Sequence, residues 1–261
     1  MKKFAVAFVI LCLVLWGSWL ILVPEQLTKE LIEQSVSGDN LSLEADRFRK
    51  GLFLNIFVER LELKKSGKVL VSLDNAHASL NPLYLPLLKV VMSLDAESAG
   101  GDIHGRAEVV KGTNRINIIL NNADIRDIPF FSVIGLSGGG LLSGELKLKD
   151  GSGEVRFSLD NVSLEGESFY GVPVPMSSFQ RIRGIFDITP EVVNVRSVAL
   201  EGNGLYSRLK GRILKGNQMD LTLEVMPNAS MTESSFALML IKSFMVSPGY
   251  YSIPIKGNLS L

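Results

Sequence analysis

What this sequence lacks narrows its chemistry first. Among 261 residues there is one cysteine, Cys12, and there are two histidines, His77 and His104. A single thiol excludes an intrachain disulfide and a cysteine-based zinc cluster. Cys12 also sits inside an apolar run, away from any base. No G-x-S-x-G elbow occurs, so that hydrolase signature is missing. Acidic and basic residues number 27 each and cancel, which leaves no electrostatic footprint for nucleic acid. Aromatic residues make up only 8%. The apolar content rests instead on Leu, Val and Ile, which suit strands and membranes.

Glycine, by contrast, is plentiful, and it crowds one stretch: "IGLSGGGLLSGELKLKDGSGEVRFSLDNVSLEG", residues 134–166. Gly139 and Gly144 have phosphate-loop spacing. Glu145 and Leu146 then stand where Lys and Ser or Thr are required. A carboxylate there repels phosphate, and a strand pattern follows instead of a helix N-terminus. Gly151-Ser152-Gly153 and Gly202-Asn203-Gly204 both fail to complete G-x-G-x-x-G. These glycines are read as turn and strand residues, with Gly151-Ser152-Gly153 the expected turn. No cofactor site is expected.

For metal, the best local group is His104 with Asp95, Glu97 and Asp102. One imidazole among scattered carboxylates is a weak ligand set, and a solvated strand face accounts for it. A hydrolase built on Asp102 and His104 is an outlying alternative. The expectation is no catalytic residue, no metal and no enzyme.

The N-terminus holds the longest uncharged run, "FAVAFVILCLVLWGSWLILV", Phe4 to Val23. Twenty residues at about 1.5 Å each span a hydrocarbon core of roughly 30 Å. Lys2 and Lys3 lie on one side only, which places that side in the cytoplasm. Trp16 and Trp19 fall near the far end, as in an aromatic belt. A cleaved signal peptide is the alternative, but the apolar run is long and no small-x-small site follows. The reading is a single-pass inner-membrane anchor with its body in the periplasm. Without Lys2 and Lys3 the remaining 25 basic residues face 27 acidic ones, so the body is close to neutral.

After Pro24, "EQLTKELIEQSVSG" places Leu27, Leu31, Ile32 and Val36 near one helical face with Gly38 as a stop. This is a short amphipathic helix or a continuation of the anchor. From Leu41 the period becomes two. Leu52, Leu54, Ile56 and Val58 share one parity; Leu61 and Leu63 take the other. "NPLYLPLLKVV" is an apolar connector, and one or two helical turns follow Pro129. Leu142, Leu146 and Leu148 oppose Glu145, Lys147 and Lys149; Val155, Phe157 and Leu159 oppose Glu154, Arg156 and Asp160. Leu221, Leu223 and Val225 alternate with Thr222 and Glu224. "SSFALMLIKSFM" suits a helix of about 12 residues.

The fold class expected is mainly β. An N-terminal transmembrane helix precedes an antiparallel, curved sheet, either a groove or a sandwich, with few short helices. The divisions expected are 1–23, the anchor; 24–40, a juxtamembrane helix or linker; and 41–261, a β-rich domain with lobes at 41–128 and 129–261. Strands of five to eight residues predict a groove roughly 17–26 Å wide. Leu142, Leu146, Leu148, Val155, Phe157 and Leu159 are the candidate apolar groove. An ordinary filled core is the alternative for most of them.

Several segments carry a resemblance: "LNPLYLPLL", "GGDIHG", "NADIRDIPFF" leading to "GGGLLSGELKL", and "YYSIPIKGNLSL". With the anchor, they resemble type II secretion system protein N in its delta-proteobacterial form, and are similar to AsmA-like periplasmic proteins. The resemblance implies an accessory inner-membrane subunit of the type II secretion machine, docking to other secretion subunits. The AsmA-like likeness implies a second role, binding lipid acyl chains in a β-groove. It supplies no catalytic residues.

Overall fold

Dipeptides that end in glycine turn this chain. Ser66-Gly67, Ala99-Gly100, Lys111-Gly112 and Asp150-Gly151 all have φ between 49° and 80°. Two successive positive φ values make a type I′ turn, whose twist matches that of the strands it joins. The fourth corrects the expected Gly151-Ser152-Gly153 turn. Ser152 pairs with Lys149 and Gly153 with Leu148, so both already lie in a strand.

The computed structural model describes residues 17–19, 23–35, 40–51, 54–133, 136–165, 176–216, 218–228 and 241–258. It is mainly β and antiparallel with few short helices, as the period-two alternation predicts. Contacts divide the chain into two units. One comprises Met1–Ser98 and Asp102–Ile116, the other Ala99–Gly101 and Asn117–Leu261.

The first unit holds α1 (Glu25–Ser35), β1 (Leu41–Asp46), β2 (Arg49–Lys50), β3 (Asn55–Lys65), β4 (Lys68–Leu80), β5 (Lys89–Ser98) and most of β6 (Gly101–Val110). Its strands lie in the order β1-β3-β4-β5-β6, with β2 also on β3. Of the expected strand residues, Leu54 is in a turn at φ 63°. Leu52 lies outside the described residues. A tight core of small side chains, Ala45, Val58, Ala76 and Ala96, is packed by Phe48, Ile56, Leu61, Leu73 and Ile103.

The second unit takes the end of β7 (Thr113–Asp124), then α2 (Pro129–Val133), β8 (Ser137–Lys149), β9 (Ser152–Glu165), β10 (Phe179–Ile188), β11 (Val192–Gly202), β12 (Leu205–Leu214), β13 (Gln218–Pro227), β14 (Met245–Ser247) and β15 (Tyr250–Asn258). Strand order follows chain order except at the end, where β15 lies between β13 and β14. All its described strands belong to one sheet. β8 and β9 have 13 and 14 residues. That corrects the expected five to eight and makes each strand roughly 43–46 Å long.

One local pattern recurs. Leu73-Asp74-Asn75-Ala76, Leu120-Asn121-Asn122-Ala123 and Leu159-Asp160-Asn161-Val162 share the same spacing. Asn75, Asn122 and Asn161 have φ of 51°, 55° and 54°, a left-handed conformation that Asn tolerates better than most residues. Residues three apart in a regular strand face opposite ways. Here the kink turns both ends inward: Leu159 and Val162 share one core, and Leu73 packs against the core that holds Ala76. The Asn122 N–H, displaced from the ladder, donates to Ser143 Oγ at 3.0 Å.

In α1 the grouped leucines face outward. Leu27 and Leu31 are 49% and 59% exposed, whereas Thr28 is buried. Two glutamates explain the orientation. Lys50 N–H donates to Glu25 Oε1 and Ala45 N–H to Glu33 Oε1, each at 3.0 Å. The helix is held by polar bonds to β1 and β2, not by its leucines. Val36 and Gly38 lie outside the described residues. Near the C-terminus, Lys242–Phe244 is a 3₁₀ turn that leads into β14. The expected helix therefore does not extend through these residues, and its earlier part lies outside the described residues.

Candidate functional site

The six apolar candidates of β8 and β9 share one face. Leu142 stands opposite Leu159 and Leu146 opposite Val155; Phe157 faces Gly144, and Leu148 faces Gly153. The register comes from the Asp150-Gly151 turn, which pairs Lys149 with Ser152 and so sets the pairs as far as Leu141 and Asp160, beyond which it shifts by one.

The face continues beyond the hairpin. From Leu146–Val155 the row runs to Phe186, Val195, Gly211, Leu221 and Ile255. From Phe157 it runs to Gly184, Val198, Leu209, Leu223 and Ile253. Two seven-strand rows thus lie side by side without a charge. The bulge between Val195 and Val198 keeps both residues on this face despite their odd spacing.

Burial changes along the rows. Leu142, Leu146, Leu148, Val155 and Phe157 are only half-buried. Leu159, Leu221, Leu223, Val225, Ile253 and Ile255 are buried, and Ile241 joins them in one core. Phe131 of α2 and Leu136 pack against the same core. The filled-core alternative therefore describes the β13–β15 side and Leu159, and Leu142 and Phe157 pack against that core. Leu146, Leu148 and Val155 are the candidates left partly open to solvent.

Phe157 is the largest of the candidates. It lies parallel to Phe186, ring centres 5.7 Å apart. Gly144 and Gly184 flank it in the row, and neither adds a side chain that would lift the ring. Ser207 interrupts a third row, between Leu200 and Val225. Its hydroxyl is fully buried, and no partner for it is found among the described residues.

The opposite face is polar. Glu154 accepts from both Arg156 and Arg196, and Arg196 Nε also donates to Asp187 Oδ2 at 2.8 Å. Those guanidinium bonds hold the Glu154 and Asp187 carboxyls below their ordinary range, Arg156 acting most on Glu154 and Arg196 on Asp187. The arginines are half-exposed, so these pairs add little stability. Glu224 is different, being buried on this side. Lys210 Nζ donates to it at 2.5 Å and Tyr250 Oη at 2.8 Å. The Lys210 bond comes first in lowering its pKa, with desolvation opposing.

The remaining candidates separate. His104 Nδ1 meets Asp95 Oδ1 at 2.7 Å, both side chains well exposed. Among the described residues no group of three metal-type ligands is found. Phe4 and Trp16 lie outside the described residues. Trp19 and Val23 are described, and both meet Lys50, which donates from Nζ to the two carbonyl oxygens. Among the described residues no helix is long and apolar enough to cross a membrane.

Comparison with protein-family models, curated proteins and solved structures found no match for this chain. The alternation of Leu221, Leu223 and Val225 is legible in the sequence, but the passage of the face through β10 was missed. Its signal was present in "RIRGIFDI", where Ile182, Gly184, Phe186 and Ile188 share a parity, with Arg183 and Asp187 on the other.

Proposed function

We propose that this chain is a membrane-tethered, non-enzymatic protein whose apolar strand face holds the hydrocarbon chains of lipid on the periplasmic side of the inner membrane. One observation carries the reading. Five side chains of the β8–β9 hairpin are only partly buried, and the rows that begin there run uncharged into a buried core. An acyl chain laid on such a face gains about 0.8 kcal/mol for each methylene removed from water, before the costs of binding. Gly184 accommodates the ring of Phe157, so the largest side chain of the face lies along the row.

Native mass spectrometry of the full chain extracted from membranes tests this. A phospholipid-mass adduct is expected on the wild type and is lost in the Leu146→Glu/Val155→Glu double variant. A wild type without adduct, or an adduct unchanged in the variant, overturns it. Lys147→Glu, on the opposite face, serves as the control that keeps the lipid.

The sequence resemblance supports a second reading, an accessory subunit of the type II secretion machine. In the structure β14 offers an exposed apolar edge, with Met245 and Val246 open to solvent. Short edge strands of this kind accept a partner strand. Crosslinking in intact membranes through a photoreactive residue at Val246 is expected to capture another secretion subunit. Recovery of only the uncrosslinked chain counts against that role.

A further inference from the structure

The β4–β5 connector carries the most exposed apolar residues of the described chain. Leu83, Leu87 and Leu88 are 69%, 70% and 81% exposed. Pro86 between them is exposed too, and no charge occurs from Pro82 to Leu88. This is a built feature. Pro82–Leu87 forms a 3₁₀ helix whose first turn is closed by Asn81, which accepts from Leu83 N–H at 3.1 Å. Leu88 ends it at φ 54°, its N–H donating to Leu85 O at 2.9 Å. Two prolines and two caps hold four apolar residues outward.

The same end of the first unit receives the end of the apolar N-terminal run. Trp19 Nε1 donates to Gly51 O at 3.0 Å, and Lys50 Nζ lies 4.8 Å above the Trp19 ring. Gly51 N–H donates to Asn55 O, and Leu80 N–H to Leu54 O. These bonds step across neighbouring strands to the connector. Two strand spacings separate the Trp19 contact from the start of the connector, roughly 10 Å. Tyr84 repeats the Trp19 arrangement, with Lys89 Nζ 5.2 Å above its ring. Aromatic rings paired with lysines mark the boundary between hydrocarbon and water.

We infer that Leu83, Pro86, Leu87 and Leu88 form a second membrane contact, a tip that enters the bilayer into which the N-terminal run is anchored. Trp19–Lys50 and Tyr84–Lys89 lie at the interface. The apolar anchor and the tip together give the first unit two points of attachment and so a fixed orientation. The inference rests on the membrane tether of the proposed function.

Spin labels test it on the full chain with Cys12→Ser, reconstituted in vesicles of phosphatidylethanolamine and phosphatidylglycerol. Labels go on Leu87→Cys, on Leu11→Cys within the apolar run, and on Lys68→Cys. Lys68 lies at the far end of β4, roughly 40 Å along the strand. Leu87 is exposed, so its label does not depend on repacking. Dissolved oxygen is expected to relax the Leu87 and Leu11 labels more than a water-soluble nickel complex does, with the reverse at Lys68. A Leu87 label more accessible to nickel, with Leu11 in hydrocarbon, overturns the second contact and leaves the tether standing. Nickel access at both Leu87 and Leu11 overturns both. Oxygen access at both Leu87 and Leu11 supports the contact, and oxygen access at Leu87 with nickel access at Leu11 overturns the tether and with it the two-point attachment.

Discussion

The ring of Phe157 occupies the space that a side chain at Gly184 would need. A Cβ at 184 would stand 2.0 Å from Phe157 Cε1. The ring would have to swing away from 184, breaking its parallel contact with Phe186. Gly184→Ala is expected to destabilise the fold by about 1–3 kcal/mol, the usual cost of overpacking. At Gly153 the obstacle is backbone: a Cβ there would stand 1.8 Å from Lys147 O. Gly153→Ala should therefore cost more than Gly184→Ala. Urea midpoints measure both, and equal midpoints for the two variants contradict the assignment.

The left-handed Asn residues offer a backbone test. Asn161 keeps Leu159 and Val162 on one core only while its φ stays near 54°. Asn161→Val places a β-branched residue there and is expected to cost roughly 1–2 kcal/mol. Asn161→Gly adopts the conformation freely and should lie within about 1 kcal/mol of the wild type. Equal losses for Val and Gly would show that the side chain of Asn161, not its backbone, matters.

Glu224 links stability to pH. Its carboxyl lies below its ordinary range because Lys210 and then Tyr250 bond to the ionised form. A depressed carboxyl binds its proton more weakly in the folded chain than in the unfolded one. Its contribution is therefore full above about pH 4.3, the unfolded value, and is lost as pH falls through the lower folded value. Glu224→Gln should be less stable than the wild type at neutral pH, by about 1–3 kcal/mol. The gap should narrow in acid. Denaturation at pH 7 and pH 3 measures it, and a constant gap argues against the linkage.

The α1 glutamates protect an edge. Glu25 and Glu33 accept N–H groups of Lys50 and Ala45 that the ladder leaves outward. Exposed edge donors recruit other strands. The Glu25→Ala/Glu33→Ala variant is expected to self-associate, seen as a concentration-dependent mass in light scattering of detergent-solubilised protein. Glu30→Ala, on the same helix, should not. A double variant with the wild-type mass removes this role for α1.

Much of the fold could be read from residue order. Strict alternation identifies the strands, because a pleat turns successive side chains to opposite faces. Asp150-Gly151 and its relatives turn the chain because a type I′ turn needs two positive φ values. From these alone the six groove residues fall on one face, and Leu221, Leu223 and Val225 on theirs. Periodicity also grouped Leu27 and Leu31 on one face of α1, and the structure leaves both exposed. Helical spacing reports which residues share a face, whereas the bonds of Glu25 and Glu33 to the strands decide which face turns in. Tertiary structure likewise decided that Leu159 is sealed while Leu146 and Val155 stay half-open. All three are equally apolar in sequence. Their burial depends on what lies above them, and that is supplied by segments distant along the chain.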